Sequence, residues 1–270
     1  MKRILLKSII AFLFLSVVAC SKVPISNRRQ LNMLPEMTLM SLSLTNYNQF
    51  FDQNPRLPDN REEVKMVRKV GNRIAVSCEK FLKIEGKTKR IKNFRWEFNV
   101  VDQPVVNAWC MPGGKVCVYT GLLPVTSDED GLAVVMSHEI AHAIARHGNE
   151  RMSQRLLAVM GGVSLAVALR DKPQETQLLF LAAYGVGAGL TILAYSRQHE
   201  TEADKLGLCF MAKAGYNPES AVPFWERMKG AGGSKIPQFI STHPSHDKRI
   251  NDLTEFMPVA LSYFEANSGE

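Results

Sequence analysis

Residues 138–142 read His138-Glu139-Ile140-Ala141-His142. They lie inside residues 130–146, a run rich in Ala, Val, Ile and Met, with no proline and no glycine after Gly131. That run predicts a helix. Four residues advance a helix by about 400°, so His138 and His142 share one face, one turn apart. Two imidazoles so placed can grip one Zn²⁺. Glu139, beside that face, can reach a metal-bound water without ligating the ion. Such a pattern also arises by chance, so its weight depends on the rest of the chain.

A catalytic zinc needs a third protein ligand and an open fourth position. A later helical segment opens with Arg197-Gln198-His199-Glu200-Thr201-Glu202-Ala203-Asp204. Glu200 can be that ligand. Asp204, one turn on along the same face, can hydrogen-bond a ligand histidine from behind. Glu202 points elsewhere and is expected to be solvated. His199 and His147 are weaker candidates. By helical phase His147 falls opposite His138, as a cap before Gly148.

The surrounding pattern is α+β. Helical spacing covers residues 36–51. It recurs over 60–84, where Val64, Val67, Val70, Ile74, Cys78 and Phe81 mark one face and Asp59 with Glu62 resembles a capping box. Phe94, Trp96, Phe98 and Val100 alternate with polar residues as in a strand. Residues 105–111 and 115–119 read as two further strands around Pro112-Gly113-Gly114. If that turn centres on Gly113 and Gly114, Cys110 and Cys117 face each other within disulfide reach. Helical patterns fill most of the chain from Ser127 on. Two apolar stretches, 156–169 and 178–195, are expected to form a buried helical hairpin. At 1.5 Å per residue the first spans roughly 21 Å, short of the roughly 30 Å hydrocarbon core of a membrane.

The chain has 270 residues and a formal net charge of +7. Lys2, Arg3 and Lys7 account for three of its 33 basic residues, leaving 30 against 26 acidic ones. The basic residues are scattered and form no stripe interleaved with aromatics, so no nucleic-acid partner is expected. The N-terminus has the charged-then-apolar layout of a secretory signal and ends in Val17-Val18-Ala19-Cys20. This resembles a bacterial lipobox, which implies a lipid on Cys20 and membrane attachment through it. The expected organisation is a signal peptide over 1–19, a lipidated and extended tether over 20–35, and a catalytic domain over 36–270.

From residue 36 to 257 the sequence resembles the M48 metallopeptidases, especially their bacterial lipoprotein and periplasmic members and the soluble domain of the Oma1 type. The resemblance is carried by Asn107-Ala108 with Pro112-Gly113-Gly114 and Gly121-Leu122-Leu123, by the 138–142 motif, by Glu200-Thr201-Glu202-Ala203-Asp204, and by Ser241-Thr242-His243-Pro244 with Arg249. It implies a mostly helical, zincin-type (gluzincin) α+β fold whose small sheet has an edge strand beside the active-site helix, near residues 116–119. It implies one Zn²⁺ on His138, His142 and Glu200, with Glu139 as general base, and extended or unfolded polypeptides as substrates. Thr-His-Pro offers His243 as a donor to the transition state, with Arg249 positioning its loop and His246 as runner-up. In the family this histidine can instead sit on the metal and hold the enzyme inactive. With the lipobox, the resemblance implies a bacterial outer-membrane location facing the periplasm and an envelope protein as partner. A zinc-containing chaperone-like or adaptor module with little proteolysis is the rival reading.

Overall fold

The computed structural model describes residues 20–160, 173–184, 196–231, 237–243 and 248–268. The proposed signal segment 1–19, most of the apolar stretches 156–195 and His246 lie outside them. The described part is mostly helical with two small sheets, the α+β architecture expected. None of its helices is long and apolar enough to cross a membrane.

Residues 20–35 are not an extended tether. Strands β1 (Cys20–Lys22) and β2 (Arg29–Leu31) pair antiparallel, with Ser21 opposite Gln30. The turn between them uses positive φ at Ile25 (62°) and Asn27 (52°) and buries Val23 completely. Arg90 ties this hairpin down, because its guanidinium donates to Lys22 O, to Gln30 Oε1 and to Ile144 O. A polar composition suggested an unpacked strand; the buried partners for those polar groups lie far along the chain.

Helix α1 (Glu36–Gln53) follows, then α2 (Glu62–Ile84). The apolar stripe expected on α2 is its buried face. Arg61 is the N-cap residue; Asp59 pairs with Arg68 at 2.8 Å instead, so the expected capping box does not form. Strands β3 (Glu97–Val101), β4 (Ala108–Met111) and β5 (Lys115–Tyr119) form a sheet in the order β3-β5-β4, with β5 parallel to β3 and antiparallel to β4. The strand over 115–119 is therefore central, and the edges are β3 and β4, of which β4 lies beside the helix that carries the 138–142 motif. Gly113 and Gly114 take φ of 87° and 82°, a region that favours glycine. The turn holds three residues, because Met111 pairs with Lys115 and Cys110 with Val116. That one-residue shift puts Cys110 and Cys117 on opposite faces of the sheet. Each joins a different buried apolar cluster, and both are free thiols, as are Cys78 and Cys209. The expected disulfide is absent.

Besides a single helical turn at Leu123–Thr126, the remaining described α-helices are α3 (Glu129–Ala145), α4 (His147–Met160), α5 (Pro173–Tyr184), α6 (Arg197–Lys213), α7 (Ala221–Gly230), α8 (Gln238–Thr242) and α9 (Arg249–Ser268). Asp128 caps α3 by accepting from Gly131 N. Arg146 takes the left-handed conformation, ends α3, and pairs with Glu36 at 3.1 Å. Ser196 caps α6 by accepting from His199 N. α3 packs along α6, and β4 and α2 flank α3. The two motif-bearing helices approach closely at Gly207, where a Cβ would stand 3.1 Å from His138 N and 3.2 Å from the Ser137 carbonyl carbon.

Gly207→Ala tests that approach. Helix propensity alone favours alanine by up to about 1 kcal/mol. Forcing α3 from α6 costs about 1–3 kcal/mol by overpacking. The expected result is a lower melting temperature and weaker zinc retention; an unchanged or raised melting temperature would show that the helices can part without cost.

Candidate metal centre

The helix predicted from His138-Glu139-x-x-His142 places both imidazoles where α3 faces α6. Nε2 of His138 lies 3.1 Å from Nε2 of His142. Glu200, in the first turn of α6, closes the triangle at 3.5 Å from His138 Nε2 and 3.4 Å from His142 Nε2. His243 follows α8 and brings its Nδ1 to 3.3 Å from His138 Nε2 and 3.1 Å from Glu200 Oε1. Each of the four residues offers one ligand atom, and these lie within 4.8 Å of one another. All four residues are buried, and Glu200 has no exposed surface.

The donor set fits zinc. Metal–nitrogen and metal–oxygen bonds of about 2.0–2.1 Å at tetrahedral angles put neighbouring donors about 3.3–3.4 Å apart. The spacings above fall on either side of that value. Glu139 is not in the cluster. Its Oε1 lies 3.2 Å from His243 Nε2, so one ring of His243 joins the ligand group to the glutamate. Burial raises the Glu139 carboxyl above the ordinary carboxylate range, partly offset by His243. Burial acts to raise Glu200 too, but His243, His138 and His142 hold it well below that range.

Asp204 stands behind the cluster, 2.9 Å from His138 Nδ1, which leaves His138 Nε2 facing the other three candidate donors. Arg249 was expected to position the loop of His243, most of which lies outside the described residues. Its Nη2 donates to Glu200 Oε2 at 3.1 Å and to Asp204 Oδ1 at 2.7 Å. Its guanidinium sits 3.4 Å from the centre of the Trp225 ring. One arginine thus neutralises Glu200 and the carboxylate that holds His138.

His142 is supported differently, by residues the sequence reading set aside. His147 Nδ1 lies 2.9 Å from His142 Nδ1, and His147 Nε2 lies 3.0 Å from Glu202 Oε2. The phase argument failed because Arg146 breaks the helix between them, so His147 opens α4 and turns back. Glu202 is buried, not solvated. Burial acts to raise its carboxyl, but hydrogen bonds from His147 and Arg28 hold it down at about 2. Burial brings His147 down to about 4, against the pull of Glu202, so the ring is neutral at pH 7. His199 pairs with Glu150 at 3.1 Å and stacks on His147 at 4.5 Å between ring centres. The signal available in sequence was a third histidine five residues after His142; nothing local marked its carboxylate partner.

Fold and site together define a zincin-like metallopeptidase. Residues 67–257, well over half of the chain, match the profile of Peptidase family M48, and the chain belongs to that family, which uses zinc. It is 36% identical over 242 residues to a protein of Schizosaccharomyces pombe named mitochondrial metalloendopeptidase OMA1, covering 88% of this chain and 66% of that protein. It is 31% identical over 253 residues to the human metalloendopeptidase OMA1, mitochondrial, covering 90% of this chain and 47% of the relative. A beta-barrel assembly-enhancing protease of Yersinia pestis is 30% identical over 166 residues, 58% of this chain and 33% of that protein. The chain thus spans from about a third to about two-thirds of the length of these relatives. They overturn one expectation. The yeast and human relatives are mitochondrial by name, which points away from a lipoprotein of the bacterial outer membrane.

If His138 binds a metal through Nε2, binding displaces a proton. Burial acts to lower the His138 pKa, but Asp204 and Glu200 raise it to about 9. A metal ion takes the electron pair that this proton holds, so affinity rises with pH up to about 9 and falls below it. Zinc titrations at pH 7 in buffers of different ionisation enthalpy should show proton release; a binding enthalpy independent of the buffer would contradict this.

Proposed function

We propose that this protein is a zinc-dependent endopeptidase acting on extended or unfolded polypeptide, with His138, His142 and Glu200 holding the metal and Glu139 as general base. The observation that carries the reading is the cluster of four buried donors at tetrahedral spacing with Glu139 beside it. The words metalloendopeptidase and protease in the names of relatives support it. A zinc ion held there would polarise the scissile carbonyl and bring a bound water toward a pKa of about 7. Glu139 would accept a proton from the attacking water and pass it to the leaving amine, a task suited to a carboxyl raised by burial. Asp204 and Arg249 keep His138 and Glu200 aligned while charge shifts. Among the described residues β4 pairs on one side only, through β5, and lies beside α3. An extended chain can add there through main-chain hydrogen bonds, which reads backbone rather than side chains.

His243 has two candidate roles, and its position favours one. Its Nδ1 lies where it would fill the fourth place that a catalytic site leaves open, and its Nε2 lies beside Glu139. We read this as a closed resting arrangement. Release of His243 would free the metal and the base together. The same closed donor set also suits a structural zinc in a module that does not cleave.

Zinc content and casein degradation separate the readings. Glu139→Gln should keep one zinc per chain and lose about 10²–10⁴-fold in turnover. Equal cleavage by wild type and variant would refute the mechanism, and no cleavage by either would favour the non-catalytic module. His243→Ala should raise turnover; a fall would assign His243 as a donor to the developing oxyanion.

A further inference from the structure

We propose that Arg28, in the turn of the N-terminal hairpin, is a positioning residue for the zinc site and acts on His142 through Glu202 and His147. The contacts form an unbroken line. Arg28 Nε lies 2.8 Å from Glu202 Oε1, and its Nη2 lies 3.0 Å from Glu202 Oε2. Its other edge donates to Glu150, Nη1 to Oε1 at 2.6 Å and Nη2 to Oε2 at 2.8 Å. Ser26, in the same turn, donates to Glu202 Oε1 at 2.7 Å. Glu202 accepts from His147, and His147 meets His142.

The tautomers follow from the ligand role. If His142 binds through Nε2, its proton sits on Nδ1 and is donated to His147 Nδ1. His147 must then carry its own proton on Nε2, where Glu202 receives it. A carboxylate that orients a zinc-bound histidine normally touches it directly, as Asp204 touches His138. On the His142 side a second imidazole intervenes, so the carboxylate stands one ring further out. That distance brings it to the hairpin.

The chemistry also explains why arginine stands there. Glu150 and Glu202 are two buried carboxylates on different helices. A planar guanidinium presents two edges and can fork to each; an ammonium is a point charge and cannot. Without Arg28 the carboxylates repel, and Glu202 loses the position that fixes His147. The hairpin precedes residues 67–257, so the support comes from outside the segment matched to the family. It is anchored independently by Arg90, and further on by Met33 N donating to Ser153 Oγ at 2.9 Å and Leu34 O accepting from Asn149 Nδ2 at 2.9 Å.

The inference rests on the zinc site of the preceding section. Its readout is metal retention, measurable whether or not the protein cleaves peptides. The experiment is release of zinc to a chromogenic chelator from the full chain, with melting temperature and the visible spectrum of the cobalt-substituted protein recorded alongside. Loss of such outer support typically costs about 10–100-fold in metal affinity. Arg28→Ala and Glu202→Gln should each speed zinc release by that order and alter the cobalt bands. The double variant should release zinc no faster than Glu202→Gln alone, because Arg28 acts through that carboxylate. Should Arg28→Ala fail to fold, Arg28→Lys carries the same comparison, with faster release expected because lysine cannot fork. Zinc release at the wild-type rate with an unchanged cobalt spectrum would overturn the proposal. So would additive effects in the double variant, which would mark a role in stability alone.

Discussion

Glu200 is a carboxylate with no exposed surface, and much of the site's surroundings can be read as the compensation it requires. An isolated buried carboxylate is too costly to keep ionised, and it would simply take a proton. Here three histidines and one arginine converge on it, so it stays charged. Each compensating group must in turn be held. Arg249 is shared with Asp204 and stacked against Trp225, and His138 is held by Asp204. The close helix crossing at Gly207 and the Asp128 and Ser196 caps set the two helices that carry these side chains. The donor cluster is therefore not placed on a finished scaffold. Its charges are part of what packs α3, α6 and the start of α9 together.

The two histidines of the 138–142 motif are supported by unlike means. His138 is served by residues of α6 and α9, near Glu200 in sequence or paired to it. His142 is served by a line that leaves the helical body and ends in a hairpin far upstream. The N-terminal segment is folded although its composition is that of a linker, because its polar groups find buried partners far along the chain. Arg28, Gln30 and Ser21 look solvated in sequence. In the fold they are matched to Glu150, Glu202 and Arg90, none of them nearby in the chain.

What the sequence made legible follows one rule. Features set by local periodicity were readable: α2 from its apolar stripe, α3 from an uninterrupted run, and the shared face of His138 and His142. Glu200 and Asp204 were readable because they repeat a helical spacing beside the right chemistry. Features set by one backbone residue were not. A left-handed Arg146 reversed the direction of His147, and a third residue in the Pro112-Gly113-Gly114 turn shifted the strand register. Propensity does not distinguish these cases, since a helix can end or continue at Arg146 with little local preference. The burial of Glu202 was invisible for a different reason, because its partners Arg28 and His147 come from separate elements.

The register of β4 against β5 has a further consequence for observing this protein. Cys110 points into the apolar cluster shared by α2, α3 and α6, while Cys117 points into the cluster built on Tyr47, Phe51 and Trp109. The fold thus carries two native thiols seven residues apart in sequence, each sealed inside a different half of the interior. Burial keeps both protonated and unreactive. A thiol reagent can reach either one only while its own half is open. Labelling rates at the two positions therefore time the breathing of the two interiors separately, with no probe added to the molecule.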